Sequence, residues 1–366
     1  MITVSLCMIV KNEEHTIAKC LDSVKGIADE IIIVDTGSTD LTQKKVSLYT
    51  DRIYDFAWID DFAAARNYSF SLATKDYILW LDADDQLFEK DRQKLLELKK
   101  SLDPAVDSVS MKYHVVLDQQ ENPVASCRRN RLVKRINNYK WIGAVHEYLY
   151  LGSDAKIYYS DAAVSHNRVH QNKNRNLNIY EKLITKGEQL SPRDMFHYGD
   201  ELVENGFYEK AIEQYLRFLD EEWPGLEDNI AVCGKMAQCY HQLGNLEKEL
   251  QYLFKALEYD LPNAESCCRI GNYFFMKERW NIAIFWFNLA LHLEQPKDSW
   301  GLIRMEFHTW LPHIQLAICY GKLGMLEQAY HHNEIAYSYL PNDPAILNNK
   351  QILEKHLYNQ EKGEQV

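Results

Sequence analysis

No stretch of some 18 consecutive apolar residues occurs anywhere in this chain, so no membrane-spanning helix is expected. The start, Met1-Ile2-Thr3-Val4, runs straight into an apolar segment with no basic lead. The expectation is therefore a cytoplasmic protein without a secretory signal. There is no Cys-x-x-Cys pair. The eight cysteines are scattered through apolar positions, and the adjacent Cys267 and Cys268 suit neither a disulfide nor a zinc knuckle. Buried, reduced thiols are expected. A basic excess is also missing: the formal charge of −12 disfavours a nucleic-acid or anionic-membrane binder. One local basic cluster stands out, Arg128, Arg129, Arg131, Lys134 and Arg135. It reads either as a solvated face or as a surface near an anionic substrate. The 366 residues, 46% of them hydrophobic, suggest about two domains with sizeable cores.

The most telling feature present is Asp82-Ala83-Asp84, directly after the apolar run Tyr77-Ile78-Leu79-Trp80-Leu81. Such a run bounded by polar residues reads as a buried strand, and open α/β sheets place ligands beyond the carboxyl ends of their strands. Two carboxylates there can hold a hard divalent cation, which can bridge nucleotide phosphates. Two earlier segments repeat the grammar of strand, polar turn and helix. Ile2–Val10 leads into Lys11-Asn12-Glu13-Glu14, then Ile17, Cys20, Leu21 and Val24 at helical spacing. Ile31–Val34 ends in Asp35-Thr36-Gly37-Ser38-Thr39-Asp40, with a helix expected over 41–49 capped by Ser38 or Asp40. A short strand at 53–56 and a helix at 62–73 carrying Arg66 and Asn67 precede the acidic triplet. Strands alternating with helices argue for a mostly parallel sheet covered on both faces.

Past residue 174 the strand signals stop and helical periodicity takes over, punctuated by turn residues. Helix pairs align around Asn205-Gly206-Phe207, Leu243-Gly244-Asn245, Arg279-Trp280 and Leu323-Gly324-Met325, with Pro262 and Pro341 after the second helix of two of them. Small residues at crossings, aromatics between them and Gly at the inner turn resemble irregular tetratricopeptide repeats. Their aromatic stripes serve either as inter-repeat core or as a groove for a peptide.

The ordered set Met8-Ile9-Val10-Lys11-Asn12-Glu13-Glu14, Val34-Asp35-Thr36-Gly37-Ser38, Ala65-Arg66-Asn67 and Leu81-Asp82-Ala83-Asp84-Asp85 resembles the family 2 glycosyltransferases of GT-A fold. Arg131-Leu132-Val133-Lys134-Arg135 and Gly143-Ala144-Val145-His146-Glu147 resemble the branch of that family with C-terminal tetratricopeptide repeats, including bacterial enzymes that glycosylate Cys or Ser of bacteriocin peptides. The resemblance implies a GT-A domain over 1–170 with a mixed, mostly parallel sheet, a linker helix over 171–192 and an all-α repeat domain over 193–366. It implies Mg2+ or Mn2+ as cofactor and a UDP-sugar donor, UDP-glucose or UDP-N-acetylglucosamine.

Role by role, the resemblance places Asn12 and Glu13 at the ribose or base edge, Asp35 at the uracil, and Arg66 on Asp82 or a phosphate. Asp82 with Ala83 would face the donor, Asp84 and His166 would ligate the metal, and Asp82 would reach the ribose or the metal through water. Glu147 is the expected general base, in a position where the family commonly has Asp, with His146 able to exchange roles with it. The expected reaction is metal-dependent, inverting transfer of a hexose to a peptide Cys or Ser, with self-association through the repeats as a further expectation. Two other readings stay open: transfer to a saccharide of the cell envelope or lipopolysaccharide core, and a repeat scaffold whose catalytic domain is vestigial.

Overall fold

The computed structural model describes residues 1–118, 120–167, 174–221, 226–294 and 301–363. Two compact units emerge, one built on Met1–His197 and the other on Tyr198–Lys297 and Arg304–Val366. The expected boundary at residue 170 lies outside the described residues.

The first unit opens with β1 (Val4–Val10), α1 (Ile17–Ser23), β2 (Glu30–Asp35), α2 (Thr42–Val46), β3 (Ile53–Asp55), α3 (Phe62–Ser71) and β4 (Tyr77–Trp80). These are the alternating segments expected from the periodicity, although α2 is shorter than the stretch over 41–49. There follow β5 (Asp85–Gln86), α4 (Glu89–Ser101), β6 (Ser108–Leu117), β7 (Pro123–Lys134), β8 (Lys140–Ile142), β9 (Tyr148–Tyr150), β10 (Ile157–His166) and α5 (Arg175–Thr185). The main sheet runs β3-β2-β1-β4-β7-β6-β10-β5. Strands β3, β2, β1 and β4 are parallel, β7 is antiparallel to both neighbours, and β10 is parallel to β6. The sheet is thus mixed, as the GT-A resemblance implies.

Strand β4 is buried along its whole length, because helices cover both faces. Leu6, Met8, Ile33 and Leu79 face one core with Ile17, Leu21 and Leu95. Cys7, Ile32, Ile78 and Trp80 face the other, with Ala63, Phe70 and Trp141. This strict alternation fixes the register, since a one-residue slip would exchange the two faces. Val10 pairs with Asp35 and Cys7 with Trp80, so the ends of β1, β2 and β4 and the turns that follow them share one edge of the sheet.

The second unit is helical, and no sheet forms within it among the described residues. Helix α6 (Pro192–Glu204) carries the chain across and leads to α7 (Tyr208–Asp220). Three further hairpins follow: α8 (Leu226–Gln242) with α9 (Leu246–Lys255), α10 (Ala264–Met276) with α11 (Trp280–His292), and α12 (Trp310–Lys322) with α13 (Leu326–Tyr339). The last element is α14 (Pro344–Gly363). The inner turns place Gly206, Gly244 and Gly324 at φ of +78°, +72° and +74°, and the third hairpin makes the same turn with Glu278 at +56°. Helix crossings are close: a Cβ on Gly199 would lie 2.4 Å from the Tyr215 ring, and one on Gly271 would lie 2.8 Å from Phe287. These features make the second unit a tetratricopeptide-like repeat domain.

Candidate active site

The turns after β1 and β2 are laced together by hydrogen bonds. Asn12, in the left-handed region at φ 57°, donates its N–H to Ser38 Oγ at 3.0 Å and accepts from the Thr39 N–H at 2.7 Å through Oδ1. Glu13 N–H donates to Thr42 Oγ1 at 2.7 Å, and Glu14 N–H donates to Asp40 Oδ2 at 3.1 Å. Asp35 Oδ1 accepts from the N–H groups of Gly37 and Ser38 at 2.8 and 2.7 Å, an Asx turn. Asp35 Oδ2 is buried with no hydrogen-bond partner. Its carboxylate thus holds the turn with one oxygen and keeps the other uncommitted.

Beyond these turns lies a cleft of about 780 Å³, whose wall includes Asn12, Glu13, Arg66, Asp82, Ala83, Asp84, His146, Glu147 and His166. Sequence positions more than 150 residues apart are brought together there. Asp35 sits below the rim, with its neighbour Thr36 on the wall.

At one side of the cleft Asp84, Asp85 and His166 each offer a ligand atom within 4.8 Å of the others. His166 Nδ1 stands 3.5 Å from Asp84 Oδ1 and 3.4 Å from Asp85 Oδ1. The geometry is close enough for attraction but unaligned for a hydrogen bond, and both Asp85 Oδ1 and His166 Nδ1 are buried without such a partner. Burial, reinforced by Asp82, Asp85 and Glu13, outweighs the nearby His166 and pushes the Asp84 carboxyl up to about 6. Burial alone would lower His166, but the Asp85, Asp84 and Asp82 carboxylates raise it. Orphaned polar atoms and crowded acids are what a cation-binding site looks like without its charge, and this donor set fits a divalent cation.

Asp85 was not singled out by spacing, and it is the most enclosed of these acids. It accepts the Asp82 N–H at 3.0 Å and meets Arg131 Nη1 at 3.0 Å through Oδ2. The Arg131 guanidinium lies 3.9 Å from the Trp80 ring centroid and 4.5 Å from that of Tyr113. Arg128 is buried as well and donates to the carbonyls of Ser110 and Ser160. A solvated face is therefore the wrong description of these two arginines: they are internal braces of the sheet.

The segment 143–147, whose last three residues also line the cleft, turns sharply, with Gly143 at φ +100° and His146 at +50°. A side chain at Gly143 would combine that left-handed strain with a 3.4 Å contact to the Val145 carbonyl. Ala144 O accepts from Phe62 N–H at 2.9 Å. The His146 ring stacks on His197 at 4.4 Å, and its carbonyl accepts from Arg193 Nη2 at 3.3 Å. Arg66, on α3, joins two carboxylates that line the cleft: Nε donates to Glu147 Oε1 and Nη2 to Asp82 Oδ1, each at 2.6 Å. Asp82 is thus engaged by Arg66, while Asp85 completes the cluster with Asp84 and His166. Burial opposes ionisation of Asp82, but the charges of Arg66 and Arg131 prevail and lower it to about 2.

Residues 5–147 match the glycosyl transferase family 2 model. The first unit carries a family 2 glycosyltransferase domain. Relatives of this chain include a TPR repeat-containing protein of Synechococcus elongatus, 36% identical over 148 residues, covering 40% of this chain and 35% of that protein. The SPbeta prophage-derived glycosyltransferase SunS of Bacillus subtilis is 29% identical over 238 residues, covering 60% of this chain and 55% of SunS. The chain therefore spans between about a third and a little over half the length of these relatives. Among solved structures, MamA overlays 48% of this chain and 86% of its own with a TM-score of 0.38 and 17% identity. Among the described residues, no helix is long and apolar enough to cross a membrane.

Proposed function

We propose that the protein transfers a hexose from a UDP-sugar to a Cys or Ser side chain of a peptide, with inversion at the anomeric carbon and dependence on a divalent cation. The observation that carries this reading is the gathering of two groups in one cleft: Asp84 and His166, with Asp85 enclosed behind them, and Glu147. A bound cation would offset the negative charge gathering on the departing diphosphate. An imidazole among the ligands favours Mn2+ over Mg2+, which prefers oxygen donors alone.

The residues of the chain divide the remaining work. Asn12 and Glu13 line the wall beside the turn held by Asp35, where the base and ribose of the donor would rest. Glu147 accepts the proton of the acceptor hydroxyl or thiol as the new bond to the anomeric carbon forms. The bond from that carbon to the diphosphate oxygen breaks, and its electron pair leaves with UDP. The peptide acceptor rests on the motif resemblance to the repeat-bearing branch that glycosylates bacteriocin peptides and on the repeat unit, whose stacked hairpins suit an extended chain.

The decisive experiment incubates the full chain with Mn2+, UDP-glucose or UDP-N-acetylglucosamine, and peptides bearing Cys or Ser, followed by mass spectrometry. Addition to a peptide of one hexose mass from UDP-glucose, or of one N-acetylhexosamine mass from UDP-N-acetylglucosamine, abolished by EDTA, supports the reading. Donor turnover with transfer only to saccharides would overturn the peptide acceptor, and no turnover with either donor would overturn the activity.

A further inference from the structure

Arg66 is buried at the wall of the cleft, only 8% exposed. It is flanked by the Trp80 and Trp141 rings, at 5.1 and 4.9 Å from their centroids. Its two short bonds run to carboxylates from distant parts of the chain, one following β4 and one at the end of the 143–147 turn. Trp141 is itself held in place, because the Asn67 side chain donates to its carbonyl at 3.0 Å and accepts its N–H at 2.9 Å. Asp61 caps α3 by accepting the Ala64 N–H at 2.8 Å, which sets the helix that presents Arg66 and Asn67. Every contact of the guanidinium is therefore dictated by a supported neighbour.

We infer that Arg66 is a positioning residue that locks the proposed base, Glu147, to Asp82, so that proton acceptor and donor-site acid hold one fixed separation. This inference rests on the reading of the cleft as a sugar-transfer site. A planar fork can serve two carboxylates at once, whereas a lysine ammonium is a single point charge on a flexible stem. Arg66 uses Nε for Glu147 Oε1 and Nη2 for Asp82 Oδ1, and Oε2 of Glu147 is left for the acceptor. With the fork gone, two neighbouring acids are left without the cation between them, and Glu147 swings away from the line of attack. A misplacement of this kind slows the chemical step far more than it weakens donor binding.

The test compares wild type, Arg66→Lys and Arg66→Gly by UDP binding with Mn2+, UDP-glucose or UDP-N-acetylglucosamine turnover, and thermal melting. The inference expects Arg66→Lys to melt cooperatively, bind UDP within about threefold of wild type and lose about tenfold or more in kcat. Guanidinium ion at millimolar concentration should restore part of the activity of Arg66→Gly, and urea should not. Wild-type kcat in Arg66→Lys overturns the positioning role, as does a loss of UDP binding that matches the loss in kcat. Failure of guanidinium to rescue a folded, UDP-binding Arg66→Gly also overturns it. Absence of turnover by wild type itself overturns the transferase reading, a separate outcome.

Discussion

Arg131 meets Asp85 at 3.0 Å with both side chains shut away from solvent, directly behind the acids that face the cleft. Breaking one member of such a pair leaves an uncompensated buried charge. Arg131→Met should therefore cost about 3–5 kcal/mol, while the double change Arg131→Met with Asp85→Asn should cost much less than the sum of the two. Urea denaturation of the three variants checks this, and additive losses would show that the pair is not a coupled unit.

Asp84→Ala should abolish turnover and Mn2+-dependent UDP binding, because it removes the most accessible carboxylate of the cation site. Calorimetric titration of UDP with and without Mn2+ reads this directly. Near-normal turnover at saturating Mn2+ would mean that the cluster does not hold the ion.

Glu147→Gln should lose about a hundredfold or more in kcat and change UDP affinity little, as expected when a proton acceptor is lost without loss of shape. Equal losses in both would move Glu147 into the donor site.

Cation affinity should depend on pH with a defined sign. The Asp84 carboxyl is raised to about 6 and His166 is raised as well, so a cation must displace protons in mildly acidic solution. Mn2+ affinity should fall by about tenfold or more per unit below pH 6 and level off once both groups are deprotonated. In the cation-free protein, the raised Asp84 contributes stability that is full below the unfolded value of 3.8 and is lost as pH rises through about 6. Mn2+ titrations and melting curves across this range provide the check.

Two helical glycines should respond in opposite directions to alanine. Gly199→Ala drives a methyl into Tyr215, whose ring lies 2.4 Å from the position of the new atom, and overpacking of this kind costs about 1–3 kcal/mol. Gly234→Ala, in α8, meets nothing within 4 Å and should stabilise by about 0.5–1 kcal/mol through helix propensity. Equal effects in the two variants would deny that Gly199 exists for the aromatic ring beside it.

The parallel half of the sheet was legible because β1, β2 and β4 are unbroken apolar runs ending in polar turns. The helical unit was legible from its glycine turns and, for the third hairpin, from Arg279-Trp280, where Glu278 adopts the same backbone without the usual residue. Asp85 and Arg131 were not legible as a pair. Asp85 follows two acids that already drew attention, and Arg131 sits in a basic run whose charge suggests solvent. Only the pairing of β7 with β4, which sets Leu79 beside Leu132, brings that arginine over Trp80. The link between Asp82 and Glu147 was equally invisible, since nothing in local spacing says that Arg66 meets both.

All eight cysteines are buried and free, and burial raises every one of these thiols above its usual range. Toward alkylating dyes and air the folded molecule should behave as though it contained no cysteine, because the thiolate is the reactive form. A single surface cysteine introduced into each unit would then be the one address for a fluorophore. The natural chain thus comes ready for energy-transfer measurements, with no background thiol to remove.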